Sequence, residues 1–329
     1  MRTFIILILT LLTALLVACD PLAPIPTPTA VVLIVSPEPS ATLPASPTPT
    51  PTPLPSFTPT ATIPPTATIP PCQQDGGQYL PFDEFRSPTA NENLRYRVYV
   101  PPCYLESQRR YPYLILLHGL GENELQWDEI GVNEALEQGM RLRVLGPMII
   151  VLPNYGRIGT ENRFPPDPSY DTVLLQELVP AIERDFCTWN NPRYRAIGGI
   201  SRGGFWALSI ALRHADIFGA VGAHSGALDP NNAPDAYNPL NLALNAPFLA
   251  ESGLRIYLDN AASDPAGTNL ELFSSRLSSR GIPHSYLVNP VGGHDDAYWA
   301  SHVAEYLTFY AQNWPRDIGE LPSCLEPSP

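Results

Sequence analysis

From residue 72 onward, short apolar runs alternate with longer amphipathic ones. Residues 113–117 (Tyr-Leu-Ile-Leu-Leu) are continuously apolar, as a strand buried on both faces requires. Residues 94–100 alternate instead, with Tyr96, Val98 and Val100 on one face. Together with 78–86 they predict a leading antiparallel pair. Further strands are predicted at 147–152, 194–199, 218–223, 254–258 and 285–288. Helical spacing predicts helices at 132–141, 172–185, 202–214, 269–280 and 298–313. In 172–185, Val173, Leu174, Leu178 and Ile182 lie close to the helical period. Strands alternating with helices imply an α/β fold, a mostly parallel sheet with helices on both faces. In such sheets function gathers at the carboxyl ends of the strands.

The first 71 residues follow other rules. Arg2 precedes an apolar run, 4–16, that is short for a membrane span and ends in Leu16-Val17-Ala18-Cys19. This resembles the lipobox of bacterial lipoproteins, so 1–18 is expected to be a signal peptide and Cys19 the lipidated anchor to a membrane. The expected location is outside the cytoplasm, on the bacterial surface or its membrane. Residues 19–71 read as a linker: the stretch 20–71 holds 17 prolines, many threonines and no basic residue. Proline removes amide donors and fixes φ, favouring extended polyproline II; the stalk could reach roughly 150 Å. Residues 72–329 are left as one α/β domain.

Charge narrows the chemistry. The net charge is −13, which argues against a nucleic-acid partner. All 19 basic residues are arginines, so Ser-Lys dyads, Schiff-base lysines and P-loop lysines are excluded. Besides Cys19 there are four cysteines, Cys72, Cys103, Cys187 and Cys324. Their spacing fits no zinc pattern, and in an exported domain an even number suggests two disulfides. Four cysteines allow three pairings. The favoured one is Cys72 with Cys103, flanking the first hairpin, and Cys187 with Cys324, tying down the C-terminal tail.

The run Gly198-Gly199-Ile200-Ser201-Arg202-Gly203-Gly204 lies where a predicted strand meets a predicted helix. This is a G-x-S-x-G nucleophile elbow in the context it needs, with the serine hydroxyl held above the sheet at a helix N-terminus. Serine at neutral pH needs a base. Among six histidines, His294 in Val291-Gly292-Gly293-His294 sits just past the last strand, at the right end of the sheet. His118 and His224 also follow strands and compete with it. The base needs an orienting carboxylate, and the order Ser, Asp, His places it after strand 254–258. Asp264, on the far side of that loop, is favoured over Asp259, which continues the strand. Asp295 and Asp296 adjoin His294, where neighbouring side chains rarely align for such a bond. The oxyanion needs two amides. Arg202 supplies one, and Leu120, in His118-Gly119-Leu120-Gly121, supplies the other. Residues 229–247 form a long Asn- and Pro-rich connection, a candidate cleft wall. Trp206, Tyr237 and Trp299 could line a pocket, though core packing is the commoner fate of such aromatics.

Leu116-Leu117-His118-Gly119, the run 194–204, Arg213-His214-Ala215-Asp216-Ile217-Phe218 and Gly292-Gly293-His294 together resemble one esterase family of α/β-hydrolases. That family includes feruloyl and acetylxylan esterases, esterase D, enterochelin esterases and mycolyltransferases. The similarity runs from about residue 93 to 314 and implies a triad of Ser201, Asp264 and His294. It departs from the family at two points. Residues 260–264 carry Asn where a glycine is common before the acid, and Arg202 stands where methionine often follows the serine. The expected function is hydrolysis of carboxylic esters, on a small molecule or a polysaccharide, through an acyl-enzyme, with no metal or cofactor. Acyl transfer to a sugar or lipid acceptor, and a non-catalytic glycan-binding lipoprotein on a hydrolase scaffold, are the alternatives.

Overall fold

Alternation of side chains along the nine strands among the described residues gives one sheet two apolar faces. The computed structural model describes residues 71–81, 83–247 and 249–326. The strands are β1 (Gln78–Tyr79), β2 (Asp83–Ser87), β3 (Glu92–Val100), β4 (Tyr113–Leu117), β5 (Ile149–Pro153), β6 (Arg195–Ile200), β7 (Ala220–His224), β8 (Arg255–Ala261) and β9 (Ser285–Asn289). They run in the order β1-β3-β5-β4-β6-β7-β8-β9, with β2 pairing β3. β1 and β2 each pair antiparallel with β3, as does β5; β4 to β9 are parallel to one another.

In β4, Tyr113, Ile115 and Leu117 face one core layer while Leu114 and Leu116 face the other. That two-sided burial is why the strand reads as an unbroken apolar run. On the first face lies the helix Arg202–Ala211, every residue of which is buried. On the second lies the closing helix Asp296–Tyr310, whose Tyr306 and Tyr310 reach the sheet. Tyr310 explains two glycines in mid-strand. Gly198 and Gly222 are register partners across β6 and β7, and a Cβ on either would overlap the Tyr310 hydroxyl.

The strand predicted at 78–86 is two pieces, β1 and β2. Helix ends moved by a few residues: the one predicted at 202–214 stops at Ala211, and the one predicted at 298–313 runs Asp296–Tyr310. The closing helix starts earlier because the Asp295 side chain caps it, accepting from the Tyr298 amide at 2.9 Å. The connection 229–247 contains a helix, Pro239–Asn245. Its Tyr237 stacks on Phe164 at 5.0 Å and donates to the Pro165 carbonyl at 3.2 Å, so it packs on the crossover that leaves β5. Trp206 is core, donating to the Gly159 carbonyl at 2.8 Å.

Both favoured disulfides are present, Cys72–Cys103 and Cys187–Cys324. Arginines reinforce the second. Arg109 donates to the Leu321 carbonyl at 2.8 Å and Arg110 to that of Glu326 at 2.7 Å, fastening the tail. Among the described residues, no helix is long and apolar enough to cross a membrane. The signal peptide, Cys19 and the linker lie outside the described residues.

The fit of Tyr310 against paired glycines yields an expectation. Gly198→Ala lowers stability by about 1–3 kcal/mol, the usual cost of overpacking, and Tyr310→Phe in the same chain recovers part of the loss. Urea denaturation of the single and double variants is the measurement; an unchanged midpoint in Gly198→Ala would contradict this packing.

Candidate active site

The carboxyl ends of β4, β6, β7 and β8 lie side by side. Leu117 pairs with Gly199, Ile200 with His224, and His224 with Asp259. Each strand therefore delivers its following loop to one rim of the sheet. Ser201 leads the loop from β6 and has φ 51° and ψ −113°, a conformation that side-chain-bearing residues rarely adopt. Close packing enforces this turn. A Cβ at Gly199 would overlap the Gly203 carbonyl carbon, and one at Gly203 would overlap the Leu117 carbonyl oxygen. The turn is held by Ser201 itself: its amide donates to the His224 carbonyl at 2.9 Å, and its carbonyl accepts from Phe205 at 3.1 Å and Ala227 at 2.9 Å.

The Ser201 hydroxyl is 2.9 Å from His294 Nε2. Across the ring, His294 Nδ1 lies 2.9 Å and 3.1 Å from the two Asp264 carboxylate oxygens. A carboxylate only accepts, so Nδ1 carries the proton and Nε2 is free to accept from the serine. Burial alone would raise the Asp264 carboxyl, but hydrogen bonds from His294, Ser225 and the Ala266 amide outweigh it and hold the group below its ordinary range. The Ala266 bond is 2.8 Å. Ser225 is itself braced by the Trp299 indole at 3.0 Å, and Trp299 meets the His294 ring edge-on at 5.2 Å.

The competing residues have other partners. Asp259 and His224 form a second pair, 2.7 Å apart, with both side chains fully buried. The remaining Asp259 oxygen accepts from Tyr298 at 2.6 Å and Tyr306 at 2.8 Å. Burial, then the Asp259 charge, pushes both phenols up, so they stay protonated donors. Tyr310 lies 2.9 Å from His224 Nε2. This network clamps the closing helix to the sheet from beneath the rim. His118 is buried too, and burial pushes it down to about 4, so it is neutral. Its Nδ1 donates to the Gly119 carbonyl at 2.8 Å and its Nε2 accepts from the Tyr155 amide at 3.3 Å.

The Arg202 amide follows Ser201 at the first turn of the helix. The Arg202 side chain turns away, donating to the carbonyls of Gly159 and Glu161 and to Asn162. Leu120 stands on the neighbouring loop and is exposed. Sequence reasoning missed three contributors: Ser225, Tyr155 and Gln126. They come from separate segments and share no spacing with the motifs. Asp296 does not approach the imidazole; it accepts from Gln126 at 2.8 Å.

Comparison with known proteins places this geometry in context. A family model described as "Putative esterase" matches residues 87–312. An "Endo-1,4-beta-xylanase/feruloyl esterase" of Xylanibacter ruminicola is 32% identical over 151 residues, 43% of this chain and 21% of that protein. "Esterase Rv1288" of Mycobacterium tuberculosis is 31% identical over 153 residues, 45% of this chain and 32% of that one. The chain thus spans a third or less of the length of these curated relatives. A solved "ferulic acid esterase" is 26% identical with a TM-score of 0.65, covering 72% of this chain and 98% of its own.

Two outcomes are expected. Asp264→Asn slows reaction of Ser201 with a fluorophosphonate probe by about 10²-fold or more, because the imidazole loses its tautomer, while the melting curve changes little. Asp259→Asn chiefly lowers stability; if it were instead the change that silences labelling in a fully folded protein, the assignment would be reversed. Protonation of His118 gives the second. Between 6.5 and about 4 the unfolded chain binds a proton that folded His118 refuses, so its share of stability is intact above 6.5 and is lost as pH falls. Denaturation of His118→Asn across that window is expected to show a shallower acid-side decline than the parent.

Proposed function

The chain belongs to this esterase family of α/β-hydrolases, and from that premise we propose that it is a serine carboxylic-ester hydrolase working through an acyl-enzyme. The observation that carries the reading is the hydrogen-bonded line from Ser201 Oγ through His294 to Asp264. In the forward step Ser201 Oγ attacks the ester carbonyl carbon as His294 Nε2 takes its proton. Asp264 stabilises the imidazolium that forms. The Leu120 and Arg202 amides donate to the oxyanion. His294 returns the proton to the departing alcohol, leaving Ser201 acylated. Water, deprotonated by the same histidine, then releases the acid.

The 31% side-chain exposure of His294 supports a base that exchanges protons with a substrate, whereas the fully buried His224 could not. For substrate class, we read an ester of a phenolic acid on a polysaccharide. Support comes from the names of the xylanase-linked relative and of the ferulic acid esterase structure. Two disulfides suit an oxidising compartment, and residues 16–19 support export followed by lipid attachment at Cys19. The segment 19–71 would then act as a stalk that carries the catalytic domain from Cys72 away from the membrane.

Ser201→Ala is expected to abolish hydrolysis of a short p-nitrophenyl ester while leaving the melting curve intact. Hydrolysis of methyl ferulate is expected to exceed that of methyl esters of aliphatic acids. Retained turnover in Ser201→Ala would overturn the mechanism; preference for aliphatic acyl groups would overturn only the substrate class.

A further inference from the structure

The Gly119–Leu120 peptide is held in one orientation by groups that the reaction itself does not use. The Gly119 carbonyl accepts from His118 Nδ1 at 2.8 Å, from the Tyr155 hydroxyl at 2.8 Å and from the Glu122 amide at 3.2 Å. His118 and Tyr155 are both buried, and their rings stack at 3.8 Å. Among the described residues the only cis peptide is Pro165–Pro166, so this one is trans. In a trans peptide the C=O and the next N–H point opposite ways. A carbonyl anchored inward therefore turns the Leu120 N–H outward, to the rim where Ser201 stands. Flipping the peptide would strip two buried donors of their acceptor and aim a carbonyl oxygen at the oxyanion position.

The other side of Gly119 is held as well. Its amide donates to Gln126 Oε1 at 2.8 Å, and Gln126 is buried. Because Oε1 must face that N–H, the Gln126 amide nitrogen faces outward, donating to Asp296 at 2.8 Å. Asp296 is the first residue of the closing helix and stands two positions after His294. One side chain thus joins the loop that carries the oxyanion amide to the helix that follows the base.

We propose that Tyr155 and Gln126 are positioning residues: Tyr155 keeps the Leu120 amide aimed at the reacting carbonyl oxygen, and Gln126 sets the spacing between that loop and His294. This rests on the reading of Leu120 as an oxyanion donor. The test is kinetic. Tyr155→Phe removes one hydroxyl and keeps the ring. It should lower kcat about tenfold, less than the 10²–10³ seen when a donor itself is removed, with KM unchanged. Affinity for a trifluoromethyl ketone, which binds as an oxyanion, should fall by the same factor. Gln126→Leu should behave likewise. Leu120→Pro deletes the N–H and should cost more. Adding Tyr155→Phe to it should cost nothing further, because both changes act on one amide.

A wild-type rate in Leu120→Pro would refute the donor reading. A crippled Leu120→Pro beside a wild-type Tyr155→Phe would refute the positioning role alone. Additive losses, or a loss expressed in KM, would refute it too. Should Leu120→Pro fail to fold, the ketone affinity of Tyr155→Phe decides: unchanged binding overturns the proposal.

Discussion

Everything at the rim of the sheet depends on the tight passage from β6 into the helix Arg202–Ala211. A serine at φ 51° and ψ −113° is strained by about 1–3 kcal/mol. It persists because its surroundings over-determine it. Two backbone contacts admit no Cβ at Gly199 or Gly203, and three backbone hydrogen bonds grip Ser201 from β7, from its own helix and from the loop after β7. The strain has a consequence for geometry. It lifts the hydroxyl off the sheet at a helix N-terminus, within reach of a histidine delivered from three strands away.

Two histidine–carboxylate pairs sit near this rim, His224 on β7 with Asp259 on β8, and His294 after β9 with Asp264 after β8, and their surroundings differ. His224 and Asp259 are sealed, with both carboxylate oxygens bonded to buried donors. Such a pair is costly to bury unless fully bonded, and here it binds a helix to a sheet. His294 and Asp264 also pair through Nδ1, but leave Nε2 facing a hydroxyl at the surface. The sealed network also bears on the open one. Tyr298, Tyr306 and Tyr310 all lie on the helix that begins two residues after His294, so the clamp below limits where His294 can move.

Much of this was legible in the chain. The unbroken apolar run at 113–117 and the glycines around Ser201 announced a doubly covered sheet and a strand-to-helix elbow, because both are local consequences of burial and close approach. Chain order and loop position favoured Asp264 and His294. Other features left weaker traces. Gly198 looked like part of the elbow motif, yet it makes room for a tyrosine more than a hundred residues later. Gln126 and Tyr155 carried no signal, since a buried glutamine and a tyrosine after a strand are unremarkable until the Gly119 groups that they bond are seen.

By itself the sequence determined the layers, the order of the elements and which residue types could act, since periodicity, turn chemistry and motif spacing are properties of neighbours along the chain. Only the tertiary structure pairs Asp264 rather than Asp259 with His294, and brings His294 rather than His118 or His224 to the Ser201 hydroxyl. Those choices turn on which side chains share a hydrogen bond, and which remain wet, once distant strands have been set edge to edge.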